Sequence, residues 1–567
     1  MRMTAFSAGD CRTQPSQQRP GTQACPVIAA CRRRSPGHNY AVIRRLFQLL
    51  GALAVCEAGA ADSLMTSDEV ARVITQAISR AQQISPTAVI AVADREGYIL
   101  GVWSVNGAPD ANDVLDAITK AGTASFLSSD QHAFTSRTAG FIVQQHFPPG
   151  FRNRPNGPLV GVNFSNLSFS DVNRFKNPHS GYVSNGLSGI NGGVILPTNS
   201  PFVALSGLAG SPGGVPLFRH GTLIGGVGVA GTTRAPARSS FSELADIQVQ
   251  QRYDADEDVA LAGQIGFQPA KVYFGSHVLI DGIRVPYVKG GTQVGPIQPL
   301  GAVGSIVPPY TITNSPVVFY PTDTFGGQTC EIRAPIIDDP AVGTIQGQAR
   351  LSASEVRQIL SQASARARTT RAGIRLPRGQ AAQTFITVVG NPDQTNTPPP
   401  ILGTLRTPDA TIFSWDVATQ KARTALFFSD NSRAFSTRAV GFLAQQFFPP
   451  GIAKTPPGPL YSLQERFSLL PVGVTNPLNH VSLTNALTEP NLNVPNGITI
   501  FPGGFPLYRN GVLIGAIGVS GDGIDQDDII AAAGTVGFLP PAQIRSDHLQ
   551  YRGARLPYAK FPRNPDL

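Results

Sequence analysis

Apolar runs at Ala88 to Ala93 and Tyr98 to Val105 flank the polar stretch Asp94-Arg95-Glu96-Gly97, a pattern that predicts a β-hairpin. Ahead of it, Thr66 and Glu69 have capping-box spacing before a helical run that ends near Gln83. Two more helices are predicted, Val114 to Phe126 and Ser136 to Phe147. The second is stopped by Pro148-Pro149-Gly150, because proline cannot continue a helix. After a long segment rich in Asn, Ser and Pro comes a second hairpin, Val215 to Arg219 with Thr222 to Val229, turning at His220-Gly221. A short helix over Asp256 to Gly263 follows.

The whole order then recurs. Ser352 and Glu355 open a helix ending near Arg368, strands Phe385 to Val389 and Ile401 to Leu405 follow, and helices cover Asp416 to Phe428 and Thr437 to Phe448. A hairpin turns at Asn510-Gly511, a pair favoured in type I′ turns, and a helix spans Asp527 to Gly534. The landmarks match in register: Lys120-Ala121-Gly122-Thr123-Ala124 with Lys421-Ala422-Arg423-Thr424-Ala425, and Phe147-Pro148-Pro149-Gly150 with Phe448-Pro449-Pro450-Gly451. Pro212-Gly213-Gly214-Val215-Pro216-Leu217 likewise matches Pro502-Gly503-Gly504-Phe505-Pro506-Leu507. These are two domains of one fold, residues 61–288 and 351–567, with residues 289–350 as an irregular linker that covers surface. Strands joined by tight turns pair antiparallel, so the class is α+β. Copy two departs from copy one at the first hairpin, where a longer loop rich in Pro and Asn replaces the tight turn.

Composition narrows the function. Of 567 residues 41% are hydrophobic, enough for real cores, and 14% are charged. The net charge is +9, but residues 1–60 hold eight Arg against Asp10 and Glu57 only, so the rest is too nearly neutral to suggest nucleic acid. Arg44-Arg45, the apolar run Leu46 to Cys56 and the small residues Ala58-Gly59-Ala60-Ala61 have the three parts of a signal peptide, residues 43–60. The run is too short to span a bilayer. We therefore expect a secreted or periplasmic protein with no integral membrane segment after cleavage. Lipid anchoring at Cys56 is the lesser expectation, because Val55 is bulky for a lipoprotein box. Residues 1–42 read as a disordered arm or a start placed too early. Only Cys330 of the five Cys lies beyond that region, which excludes an internal disulfide or a Cys-based zinc site in the exported chain.

The sequence resembles the GlcG/HbpS-type haem-binding family, in tandem duplication. The likeness rests on Val92-Ala93-Asp94 with Gly97, on Asn106-Gly107-Ala108-Pro109, on the helix Asp416 to Ala425, and on Ile514 to Gly521, Ile-Gly-Ala-Ile-Gly-Val-Ser-Gly. The resemblance implies, in each copy, an antiparallel sheet of about five strands flanked by helices, frequent homo-oligomers, and haem or a related tetrapyrrole as ligand.

Haem needs an axial donor in an apolar pocket. His277 and His548 are the one His pair matched between the copies, each ahead of a shared turn, Gly282-Ile283-Arg284-Val285-Pro286-Tyr287 and Gly553-Ala554-Arg555-Leu556-Pro557-Tyr558. They are the first candidates for haem-iron ligands, against the alternative that each packs beside the turn. Lys120 with Thr123, and Lys421 with Thr424, lie three apart on one helix face. They suit a propionate and a pocket wall, or else a solvated Lys with its Thr bonded to the backbone. Arg137 and Arg438 read as structural contacts, and the acidic clusters Asp256, Glu257, Asp258 and Asp525, Asp527, Asp528 as residues favouring a helix dipole. Gly226-Val227-Gly228-Val229-Ala230-Gly231 fits a dinucleotide pattern, but no helix is predicted after it and copy two has Ala516 in place of Gly226. Close approach of neighbouring elements is the better reading.

The expected function is an exported small-ligand-binding protein, with haem as the ligand and no reaction of its own. A corrinoid or redox small-molecule enzyme, a haem-degrading enzyme, and a scaffold with closed pockets are the alternatives.

Overall fold

The computed structural model describes residues 63–560 except 145–146, 150, 152–156, 161, 163–181, 185–194, 198–207, 232–251, 292, 319, 377–378, 462 and 464–492. The leader region and much of the two long inserts lie outside the described residues.

Copy one runs α1 (Ser67–Ile84), β1 (Val89–Asp94), β2 (Ile99–Ser104), α2 (Ala111–Phe126), α3 (Ser136–Ile142), β3 (Gly214–Arg219), β4 (Thr222–Ala230) and α4 (Ala255–Gly263). Thr66 and Glu69 close the predicted capping box. Residues expected to form an irregular linker instead extend both sheets. β5 (Ser305–Ile306) joins copy one, while β6 (Thr322–Phe325) and β7 (Gln328–Ala334) join copy two. Copy two then repeats the order with α5 (Ala353–Thr369), β8 (Thr384–Gly390), β9 (Ile401–Arg406), α6 (Phe413–Phe427), α7 (Thr437–Leu443), β10 (Gly504–Arg509), β11 (Val512–Gly521) and α8 (Ile524–Gly534).

The two main sheets have five and six strands, ordered β3-β4-β1-β2-β5 and β6-β7-β9-β8-β11-β10, beside three two-stranded ribbons, and every pair in the main sheets is antiparallel. Helices cover both faces. Val89, Ala91 and Ala93 of β1 belong to the core that includes Ala117 and Ala121 of α2, while Ile90 and Val92 belong to the core that includes Val73 of α1 and Val259 of α4. Burial on both sides is why the strands read as continuous apolar runs. α2 can sit close because Gly226 and Gly228 of β4 have no Cβ. A Cβ at either position would clash with the Ala121 or Ala117 carbonyl, and Gly518 repeats the arrangement under Ala418. The dinucleotide pattern is thus helix-packing glycine, as expected.

The turns at His220-Gly221 and Asn510-Gly511 have positive φ at both residues, as a type I′ turn requires. α3 and α7 end five residues before the sequence predicts. The residue before a proline is pushed out of the helical region, and returning segments complete the ladder. Leu159 and Gly157 donate to the Ile142 and Gln144 carbonyls, and Leu460 and Gly458 do the same for Leu443 and Gln445.

The β1–β2 turn of copy one is embedded in copy two. Arg95 bonds Asp130 at 2.8 Å and Asp409 at 2.6 Å, and Glu96 receives Arg333 at 2.8 Å. Arg375, fully buried, bridges Asp409 and Asp522. The missing tight turn in copy two has this counterpart: the turn that copy one keeps is the plug between the copies.

Candidate functional site

The helix pairs singled out in the sequence are structural anchors. The Lys120 ammonium bonds Asp116 and Asp256, both at 2.9 Å, and the Val229 carbonyl. Lys421 bonds Asp527 and the Val519 carbonyl, each at 2.8 Å. Burial alone would lower the Lys120 pKa, but its two carboxylates outweigh burial and hold it above the ordinary range. At Lys421, where Val417 replaces Asp116, burial wins and the pKa falls. The Thr123 hydroxyl donates back to the Thr119 carbonyl and accepts the Ala209 amide, and Thr424 accepts the Thr499 amide. Lysine and threonine therefore tie helix to strand and to the chain leading into β3 or β10, and Lys421 also lines a cavity of about 410 Å³.

The acidic clusters differ from their expected role. Asp254 caps α4, while Asp256, Glu257 and Asp258 pair with Lys120, Arg137 and Arg80. In copy two Asp527 and Asp528 pair with Lys421 and Arg438. These pairs are not legible locally because their partners are 90 to 178 residues away, although the matched spacing in both copies carried the signal.

His277 and His548 each end a short 3-10 turn and are exposed. A third imidazole, His132, is buried with its ring nitrogens on Ser129 Oγ and the Leu127 carbonyl at 2.9 and 3.0 Å, and burial pushes its pKa down to about 3. It stays neutral and internally bonded.

Beside His277 lies a groove of about 610 Å³ in copy one. Phe141, Pro148, Val285 and the stacked pair Phe274–Tyr287, with ring centroids 4.3 Å apart, form its apolar part. Arg284 and Lys289 also line it, both exposed; Arg284 donates to the Ser276 carbonyl, and among the described residues neither side chain meets a carboxylate. The size suits a small-molecule site, and the combination suits a flat apolar body carrying acid groups. Burial raises the Tyr287 phenol above its ordinary range, so it is a wall and not a phenolate donor. The sequence had marked this turn only as a landmark for the histidines.

The same positions in copy two are altered. Arg545 stands for Phe274, and its guanidinium lies 5.0 Å from the Tyr558 ring centre. Asp547 stands for Ser276 and pairs with Arg545 at 2.6 Å and Arg555 at 3.5 Å, while Lys560 pairs with Asp525. Cation and apolar wall are both cancelled there.

A family model described as haem degrading protein HbpS-like matches residues 65–237 and 400–535. Among solved structures, the PduOC:haem complex matches at 23% identity over 34% of this chain and 96% of that one, with a TM-score of 0.21. The Klebsiella pneumoniae protein ORFY matches at 15% identity over 36% of this chain and 90% of that one, with a TM-score of 0.19. No curated protein matches the chain.

Proposed function

Since the chain belongs to the HbpS-like family of haem-degrading proteins, we propose that it is an exported haem-binding protein whose ligand sits in the copy-one groove. The observation that carries the reading is a stacked aromatic wall in one groove with two exposed cations, Arg284 and Lys289, that meet no carboxylate among the described residues. Haem, when bound, supplies an iron centre in a flat apolar ring with two propionates. Phe274 and Val285 would exclude water from such a ring, and Arg284 and Lys289 would hold its acid groups. His277, one residue beyond the groove-lining Ser276, would be the residue to hold the iron, and His548 is its copy-two equivalent.

The family description favours a second reading, in which bound haem is degraded. Incubation with a reductant separates the two: a binder returns intact haem, and a degrading enzyme consumes it. Export rests on the Leu46 to Cys56 run. Among the described residues no helix is long and apolar enough to cross a membrane.

Replacing Arg284 and Lys289 together by Gln removes two exposed charge contacts of about 1 kcal/mol each, so haem affinity should fall roughly thirtyfold in a Soret titration at low salt. An unchanged dissociation constant would take haem out of this groove.

A further inference from the structure

The contact between the copies is directional. Copy one gives the end of α2 and the loop after it: Leu127 and Phe134 are buried in a core continuous with Phe413 and Val417 of copy two, and the Asp130 amide donates to Asp409. Copy two receives them at α6 and the residues just before it. The exchange is not repeated in reverse. Phe428 and Phe435, the copy-two twins of Leu127 and Phe134, are only half-buried, and Phe427 is 36% exposed. Asn112, the copy-one twin of Phe413, is exposed, as are Ala108 and Asp110, the twins of Asp409 and Thr411. A heterologous contact between two units of one fold leaves one giving face and one receiving face uncovered.

The uncovered faces have also changed in charge, in opposite senses. On the giving side Arg433 stands where copy one has the buried His132, and Arg552 where it has Asp281. Both arginines are exposed, and the one carboxylate on Arg433, Asp430, is itself 43% exposed, so that pair is open to exchange. On the receiving side Asp110 stands for Thr411 and Asp116 for Val417. Giving faces therefore repel one another and attract receiving faces.

We propose that chains of this protein associate head to tail, the copy-two face of Phe428, Phe435, Arg433 and Arg552 covering the copy-one face of Asp110, Asn112 and Asp116 in the next chain. The occupant is a second copy of this chain because, within one chain, the twin of each face is already covered by a domain of the same fold. A two-fold pairing of copy-two faces would instead set Arg433 and Arg552 against their own like. The contact between chains has no counterpart of the Asp409 carboxylate, since Ala108 stands there, so it is weaker than the contact between copies and rests on aromatic burial and solvent-screened charge. Neither face shares a residue with the haem groove.

Sedimentation velocity of the full-length protein, without haem, tests the proposal. At low salt the wild type should form assemblies larger than a dimer, with a dissociation constant about tenfold higher at ~0.5 M salt. Arg433→Glu with Arg552→Glu blocks the giving face, and Ala111→Arg with Asn112→Arg blocks the receiving face, all at exposed positions. Each double variant alone should sediment as a monomer. An equimolar mixture of the two should associate again, because an intact giving face then meets an intact receiving face, which also shows that both variants are folded. A monomeric wild type, a receiving-face variant that assembles as wild type does, or a mixture that stays monomeric would each overturn the proposal.

Discussion

Arg375→Met should destabilise the paired copies by about 3–5 kcal/mol in guanidinium unfolding, the usual cost of breaking a buried ion pair from one side. Arg375 is 2% exposed, donates to Asp409 and Asp522, and also reaches Ser129 of copy one at 3.3 Å. Asp409 is shared with Arg95, so one substitution leaves Asp522 without a cation and loosens the grip on the copy-one turn. Met fills the volume but cannot neutralise a carboxylate held in low dielectric. Arg357→Ala is the control. Its pair with Asp323 is nearly half exposed on both sides, and solvent-screened pairs of that kind contribute little to stability. Equal losses for the two variants would show that the inter-copy network does not hold the copies together.

Haem binding itself should collapse when copy one is given the copy-two groove. Phe274→Arg with Ser276→Asp replaces the ring stacked on Tyr287 by a guanidinium and sets a carboxylate beside Arg284, as Asp547 sits beside Arg555. Covering an aromatic wall contributes about 1.5–3 kcal/mol and a cancelled cation about 1, so affinity should fall by roughly seventyfold to a thousandfold. The reverse exchange, Arg545→Phe with Asp547→Ser, frees Arg555 and restores an apolar face on Tyr558. It should add a second, weaker site. If the double variant of copy one bound haem as wild type does, the contrast between the grooves would have no functional meaning.

The elements were legible because the repeat wrote each of them twice and because caps, prolines and Asn-Gly turns are local signals. The linker strands were not read, although Gly326-Gly327 sits at positive φ between Thr322–Phe325 and Gln328–Ala334, a two-residue hairpin turn. Their polar side chains gave no apolar period, since β6 is an edge strand exposed at three of its four positions. Cys330 is the one Cys beyond the leader region. It lies buried in β7 against Ser364, and burial pushes its thiol up.

The site was legible in part. His277 and the turn after it were picked out by matching the copies, and the groove forms at that turn. Lys120 and Thr123 fit a ligand face by helical spacing, but spacing cannot say that Asp256, 136 residues away, occupies the ammonium. The exchanges of Phe274 for Arg545 and Ser276 for Asp547 stood in the sequence as well. They acquired meaning only once the fold placed them in one groove.

A haem titration of the full-length protein followed at the Soret band, with the haem-to-protein ratio at saturation checked by mass, tests the central claim most directly. One haem per chain is the expected result, because among the described residues copy one alone keeps both the apolar wall and cations that meet no carboxylate. Two haems per chain, or no saturable shift, would contradict it.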